Sequence, residues 1–233
     1  MFHNRRNQIV AHNKHSMLMW MICNTLVPLR SKGLKRVSNF FKYRFNHSVA
    51  ITQAKISDDT VFSFHTYDHY WARYLFTGTP YEPEIEAFLR KLSDVPYSFI
   101  DCGANYGYWS CLASSLEFGK HPTVAVEASS GTYADLQRNS ALNDNRFKCL
   151  RAAVYNRDHA SVMFTKDDNH GSRSIDSVTS SPLAPDTELT NTITIDSIAK
   201  QHLKSSSSIL CKLDVEGAEI SAFEGAGELL DTD

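Results

Sequence analysis

Short apolar runs separated by polar turns set the rhythm of this chain from about residue 96 onward, and strands and helices alternate along it. Ser98–Asp101 (SFID) reads as a buried strand, followed by a glycine-containing turn and a helical stretch over Tyr106–Leu116. Thr123–Glu127 (TVAVE) is the second strand and Thr132–Leu142 the second helix, with Lys148–Val154 (KCLRAAV) as the third strand. SVMFT and NTITID are short strand candidates around a polar stretch, Lys166–Thr190, rich in Ser, Asp and Pro. Ser208–Asp214 (SILCKLD) is predicted as a buried strand and Ala218–Leu230 as the helix after it. This alternation predicts an α/β fold with a mostly parallel sheet and ligands at the carboxyl ends of its strands.

The first 95 residues follow another pattern. VAITQAKI and TVFSFHT flank Ser57-Asp58-Asp59 and predict a β-hairpin. Tyr67–Phe76 is dense in aromatics, and His65 and His69 stand four apart; without a third ligand the pair reads as packing rather than metal binding. Thr79-Pro80-Tyr81-Glu82-Pro83 opens a helix through Lys91, with early Glu and late Arg90-Lys91 matching the helix dipole. Leu34, Val37, Phe40, Phe41 and Phe45 fall near helical spacing among Lys and Arg, which predicts a basic amphipathic helix for a membrane surface, an acidic partner or the protein's own core. The divisions expected are a basic extension (1–47), a hairpin and helix preceding the core (48–95), and the α/β domain (96–233).

Composition narrows the class. The 233 residues are 42% hydrophobic, with 10 Gly and 7 Pro, which excludes global disorder and fibrous repeats. The net charge of −2 hides a split: residues 1–50 carry nine Lys/Arg and no acid, so the remainder holds 15 basic against 26 acidic residues. An acidic main body argues against a nucleic-acid-binding domain, while the basic extension suits an anionic surface and peripheral membrane contact. Met17–Leu29 is apolar but shorter than a membrane span, and no small-residue cleavage site follows it. Five cysteines without a C-x-x-C pair read as reduced thiols of a cytoplasmic protein.

The informative segment is Phe99–Gly107 (FIDCGANYG). Its spacing is G-x-x-x-G rather than G-x-G-x-x-G, which weakens a dinucleotide reading. Asp101, an acid at the strand end, would repel a pyrophosphate crowding the turn yet suits a cationic ligand such as S-adenosylmethionine. Glu127 ends the second strand 26 residues on, where a carboxylate can accept hydrogen bonds from both ribose hydroxyls.

D-C-G-A-N-Y-G, V-A-V-E-A, R-A-A-V and above all K-L-D-V-E-G-A-E (Lys212–Glu219) resemble the FkbM-type methyltransferase family over about residues 96–230. The resemblance implies a Rossmann-like class I methyltransferase sheet, preceded here by an N-terminal α+β extension. It also implies S-adenosyl-L-methionine as cofactor and a small-molecule or glycan hydroxyl as acceptor. By position, Asp101, Gly103, Asn105 and Gly107 would line the methionine part and Glu127 the ribose. Asp214 is the expected base or acceptor-orienting residue and Glu216 its support; Glu219 is equally explained as a helix-start acid, and a metal held by these acids is the weaker reading. The family fold continues past this motif with further strands, so a sheet truncated after the strand–helix unit 208–230 is expected. The competing functional readings are an adenosyl-binding remnant without turnover and a nucleotide-dependent oxidoreductase.

Overall fold

The computed structural model describes residues 8–11, 14–25, 34–36, 38–40, 50–165, 175–177, 187–203 and 208–231. Phe41 and Phe45 of the predicted basic helix, residues 26–29 of the apolar run and most of the polar stretch 166–190 lie outside them.

The chain opens with β1 (Gln8–Ala11) and α1 (Lys14–Thr25), then the hairpin β2 (Ile51–Ser57) and β3 (Thr60–His65). These strands form an antiparallel sheet in the order β1-β2-β3, with the hairpin turning at Asp58-Asp59 as expected. Next come α2 (His69–Leu75) and α3 (Pro83–Lys91). Asp68 caps α2 by accepting from the Tyr70 N–H at 2.9 Å.

The α/β part contains β4 (Ser98–Cys102), α4 (Tyr108–Ala113), β5 (Thr123–Glu127), α5 (Ser130–Leu142) and β6 (Phe147–Arg151). There follow β7 (Ala153–Val154), β8 (Ser161–Thr165), β9 (Ile175–Ser177), β10 (Thr187–Ile193) and α6 (Ile195–His202). The last described elements are β11 (Ile209–Leu213), α7 (Glu219–Glu224) and α8 (Gly227–Leu230). The central sheet is parallel, in the order β11-β4-β5-β6, and a second four-stranded sheet has the order β7-β10-β8-β9.

Alternation along β4 and β5 feeds two cores. Phe99 and Ala125 join a cluster with Leu112, Leu136 and the hairpin residues Phe62 and Phe64. Ile100, Cys102, Val124 and Val126 face the other way, onto Ile195, Ile198 and Ala222. Both faces are covered, so these strands are buried at every position rather than alternating. The first cluster also takes in Met19 of α1, Trp71 of α2 and Leu89 of α3, so these helices and the hairpin share one core with the α/β part.

The exposed edge of β3 is closed by side chains. Asn139 of α5 accepts from the Ser63 N–H (2.7 Å) and hydroxyl (2.8 Å) and donates to the carbonyls of Ser63 (3.0 Å) and Tyr106 (2.8 Å). One turn on, Asn143 accepts from the Val61 N–H and donates to the Val61 carbonyl. The two carboxamides act as a surrogate strand and satisfy groups that an edge would leave bare.

Four elements depart from the sequence pattern. KCLRAAV is two strands: β6 stays in the parallel sheet, while Ala153-Val154 pairs with β10 in the second. Thr187–Thr190, assigned to the polar stretch, belongs to β10. The helix expected over Ala218–Leu230 is broken at Gly225-Ala226, where a Cβ on Gly225 would lie 2.3 Å from the Tyr155 carbonyl oxygen. β11, expected to be buried, is half-buried because it is the edge strand beside β4 in the described sheet. The cysteines are free thiols, with the sulfurs of Cys102 and Cys211 3.7 Å apart across β4 and β11.

Candidate functional site

β5 lies on one side of β4 and β11 on the other, so successive connections diverge at the carboxyl end of β4. Open α/β sheets bind ligands at such a switch point. A cleft opens there, lined by the ends of β4, β5 and β11 and by a group of aromatic side chains.

One wall comes from the strand ends. After β4, Gly103 (φ +74°) and Asn105 (φ +53°) take left-handed conformations and fold the chain toward α4, where Gly107 (φ +82°) is the N-cap. A Cβ on Gly103 would lie 1.9 Å from the Asp214 carbonyl oxygen, and one on Gly107 2.5 Å from the Leu136 side chain. At both glycines the space a side chain would need is taken by the protein's own chain. Gly103 and Asn105 line the cleft and Gly107 does not.

Glu127 is buried at the end of β5, and its side chain lines the cleft. One carboxylate oxygen accepts from the Asn105 N–H at 3.0 Å and the other from the Ser129 N–H at 2.9 Å. The same carboxylate therefore organises the turns after β4 and β5.

Asp101 sits behind this wall, fully buried and off the cleft surface. Its Oδ2 accepts from the Ser110 hydroxyl at 2.6 Å, and its Oδ1 has no hydrogen-bond partner among the described residues. Across the strand pair, Asp101 is in register with Lys212, whose ammonium lies 3.9 Å from Oδ1 and 3.1 Å from Asp214 Oδ2. Burial pushes the Asp101 carboxyl up, against the opposing pull of Lys212 and Ser110. Burial works against the Lys212 charge too, but Asp101 and Asp214 outweigh it and hold its pKa above the usual lysine range. Lys212 lines the cleft and joins the buried acid to the exposed one. The sequence reading passed over it, although a lysine inside an apolar strand required a carboxylate neighbour.

Asp214 and Glu216 both line the cleft. Glu216 is left-handed (φ +55°) and lies outside the helix that Glu219 begins. Glu219 instead accepts from the Gly217 N–H at 3.0 Å, and does not line the cleft. Among the described residues no group of three or more His, Cys, Asp or Glu side chains is arranged to hold a metal ion. His65 turns onto Asp135 at 3.2 Å.

The facing wall is aromatic: Tyr70 and Trp71 of α2, Tyr81 from the α2–α3 loop, and Tyr108 and Trp109 of α4. Trp71 stacks on Tyr108 at 5.5 Å and Tyr81 on Trp109 at 5.8 Å. Glu82, left-handed at the start of α3, makes no side-chain cap; its carboxylate accepts from Trp109 Nε1 at 2.8 Å. The Tyr70 hydroxyl donates to that of Tyr81 at 3.2 Å. Burial pushes the Tyr70 phenol up to about 12 and Tyr81 further in the same direction, so both are neutral donors near neutral pH. None of these aromatics was assigned to the site from sequence; the density of aromatics in YDHYWARYLF was the available signal.

Three carboxylates, one ammonium and an aromatic face thus meet in one cleft. Comparison with known proteins gives this arrangement a context. No curated protein matches the chain. Among solved structures, FkbM methyltransferase from Methylobacillus flagellatus KT is 17% identical, with a TM-score of 0.36 over 71% of this chain and 40% of that one. Pyrococcus horikoshii TYW2 in complex with MeSAdo is 14% identical, with a TM-score of 0.32 over 56% and 52% of the respective chains. The chain therefore spans about half or less of the length of these structures. A family model, the methyltransferase FkbM domain, matches residues 101–233, more than half of the chain. The chain belongs to the FkbM methyltransferase domain family.

Proposed function

We propose that this methyltransferase-family chain uses S-adenosyl-L-methionine to methylate oxygen, the acceptor being a hydroxyl of a sugar, glycan or secondary metabolite. The observation that carries the reading is that Glu127 and the Gly103–Asn105 turn share a cleft with Asp214 and Glu216. The residues fit the cofactor: Glu127 brings a carboxylate, a hydrogen-bond acceptor suited to hydroxyls, to the cleft beside the Gly103–Asn105 turn, and an acid-rich cleft with an aromatic face suits a cation. When bound, S-adenosylmethionine supplies an electrophilic methyl group on a sulfonium centre.

The protein's own residues do the rest. Methyl displacement is in-line, so alignment of the acceptor oxygen is the main task, and the two walls set that alignment. A sugar hydroxyl is a weak nucleophile, and Asp214 accepts its proton or its hydrogen bond. Lys212 holds Asp214 in place from 3.1 Å, and Glu216 supports it from the next turn of chain. Five free thiols favour a reducing compartment, so we read the protein as cytoplasmic. Among the described residues no helix is long and apolar enough to cross a membrane.

The test is Asp214→Asn, assayed for transfer of labelled methyl from S-adenosylmethionine to a panel of hydroxyl acceptors, with cofactor binding measured alongside. Turnover should fall roughly a hundredfold while cofactor affinity survives. Near-wild-type turnover removes Asp214 from the chemistry.

A further inference from the structure

Helix α1 is apolar on two sides. Inward, Met19 and Cys23 are buried in the core, Ile22 packs against it, and the Ser16 hydroxyl meets that of Thr52 at 2.6 Å. The helix is tied to the end of α2 through Asn24, whose amide donates to the Phe76 carbonyl at 3.1 Å. Outward, Met17 is 62% exposed, Trp20 48% and Met21 47%, with Leu18 beside them at 36%. Positions 17, 20 and 21 fall on one helical face. On a solvated helix that face carries polar residues, and a contiguous apolar patch marks an interaction surface.

Charge identifies what the surface meets. Residues 1–50 contain nine Lys/Arg and no Asp or Glu. Lys14 begins α1 and is exposed; Lys35 and Arg36 are exposed beside Leu34, which buries in the same core as Met19 and Cys23. Tryptophan, methionine and leucine on a segment whose Asp, Glu, Lys and Arg are all Lys or Arg match the interface of an anionic bilayer, where apolar side chains enter the headgroup boundary and lysines and arginines meet lipid phosphates and carboxylates. We propose that the outer face of α1 is a peripheral docking surface for anionic lipid bilayers. It adds Met17–Met21 to the membrane contact expected of the basic extension, in which Phe40 is exposed too. It is independent of the proposed chemistry, since it uses none of the cleft residues.

The experiment uses vesicles of phosphatidylcholine and of an equimolar phosphatidylcholine–phosphatidylserine mixture, with the full chain. Trp71 and Trp109 are buried, so of the three tryptophans only Trp20 is open to a change of solvent. Serine-containing vesicles should pellet the protein at low salt and shift its tryptophan emission to the blue, and high salt should reverse both. The variant Met17→Ser/Trp20→Ser/Met21→Ser, whose charge is unchanged, should bind at least tenfold more weakly, as should Lys14→Gln/Lys35→Gln/Arg36→Gln. Trp20→Phe should keep pelleting and lose the emission shift. Absence of wild-type pelleting, or equal pelleting of wild type and the triple-serine variant, overturns the proposal. So does lipid-free self-association in the ultracentrifuge that the triple-serine variant abolishes, which would make the face a contact between copies.

Discussion

The two walls of the cleft are built by different means. The strand-end wall is local: Gly103, Asn105, Glu127, Lys212 and Asp214 each stand within three residues of the end of β4, β5 or β11, and strand register brings them together. The aromatic wall is assembled from α2, the α2–α3 loop and α4, and depends on the hairpin and α5 to hold those pieces. In the first wall, chemistry follows from where the strands end. In the second, it follows from long-range packing that no short motif encodes.

The difference is testable through stability, because each wall has its own weakest point. Gly103→Ala strikes first, since the new Cβ would meet the Asp214 carbonyl while the backbone stays left-handed. Backbone strain and overpacking together should cost roughly 3–5 kcal/mol in urea denaturation, and a loss below about 1 kcal/mol would mean that β11 does not approach β4 so closely.

Asn139→Ala is the corresponding test of the other wall. It deserts the buried N–H and carbonyl of Ser63 and the carbonyl of Tyr106, and should cost about 2–4 kcal/mol. Amide exchange should accelerate in β3 and in the turn before α4 before it does in β4 and β5. Uniform acceleration across all four segments would show that the walls do not open separately.

Tyr81→Phe is the mildest change. It removes the acceptor of the Tyr70 hydroxyl and should lower stability by about 0.5–1.5 kcal/mol, with adenosyl affinity unaltered. A tenfold loss of affinity would assign the Tyr81 hydroxyl to the cofactor rather than to the wall.

The same contrast explains what could be read from the sequence. TVAVE was bounded residue by residue because a short buried strand ending in an acid has one reading, and the hairpin turn was set by Ser57-Asp58-Asp59. Glu127 and Asp214, singled out as acids at strand ends, and Glu216, singled out at the following helix entrance, all line the cleft. The role of Asp101 was not legible: at a strand end an acid faces either the cleft or the layer beneath, and its register with Lys212 and the Ser110 hydroxyl turned it inward. Nor was the split of KCLRAAV, since Ala152 to Val154 are apolar whichever sheet they join. Tyr81 and Trp109 had no local signature as cleft residues, because what makes them a wall is Glu82 reaching Trp109 and the stacking of side chains distant in sequence.

The central claim is that Glu127 receives the ribose of an adenosyl cofactor, and calorimetric titration of S-adenosylmethionine and of its demethylated product tests it most directly. Glu127→Gln, which keeps one acceptor oxygen, serves beside Glu127→Ala as a check that the turns still fold, with melting curves for both. The account predicts that wild type binds both ligands and that Glu127→Ala weakens the two alike, by roughly ten- to a hundredfold, about 1.5–3 kcal/mol. Absence of binding to the folded wild type, or unchanged affinity in a folded Glu127→Ala, would contradict it.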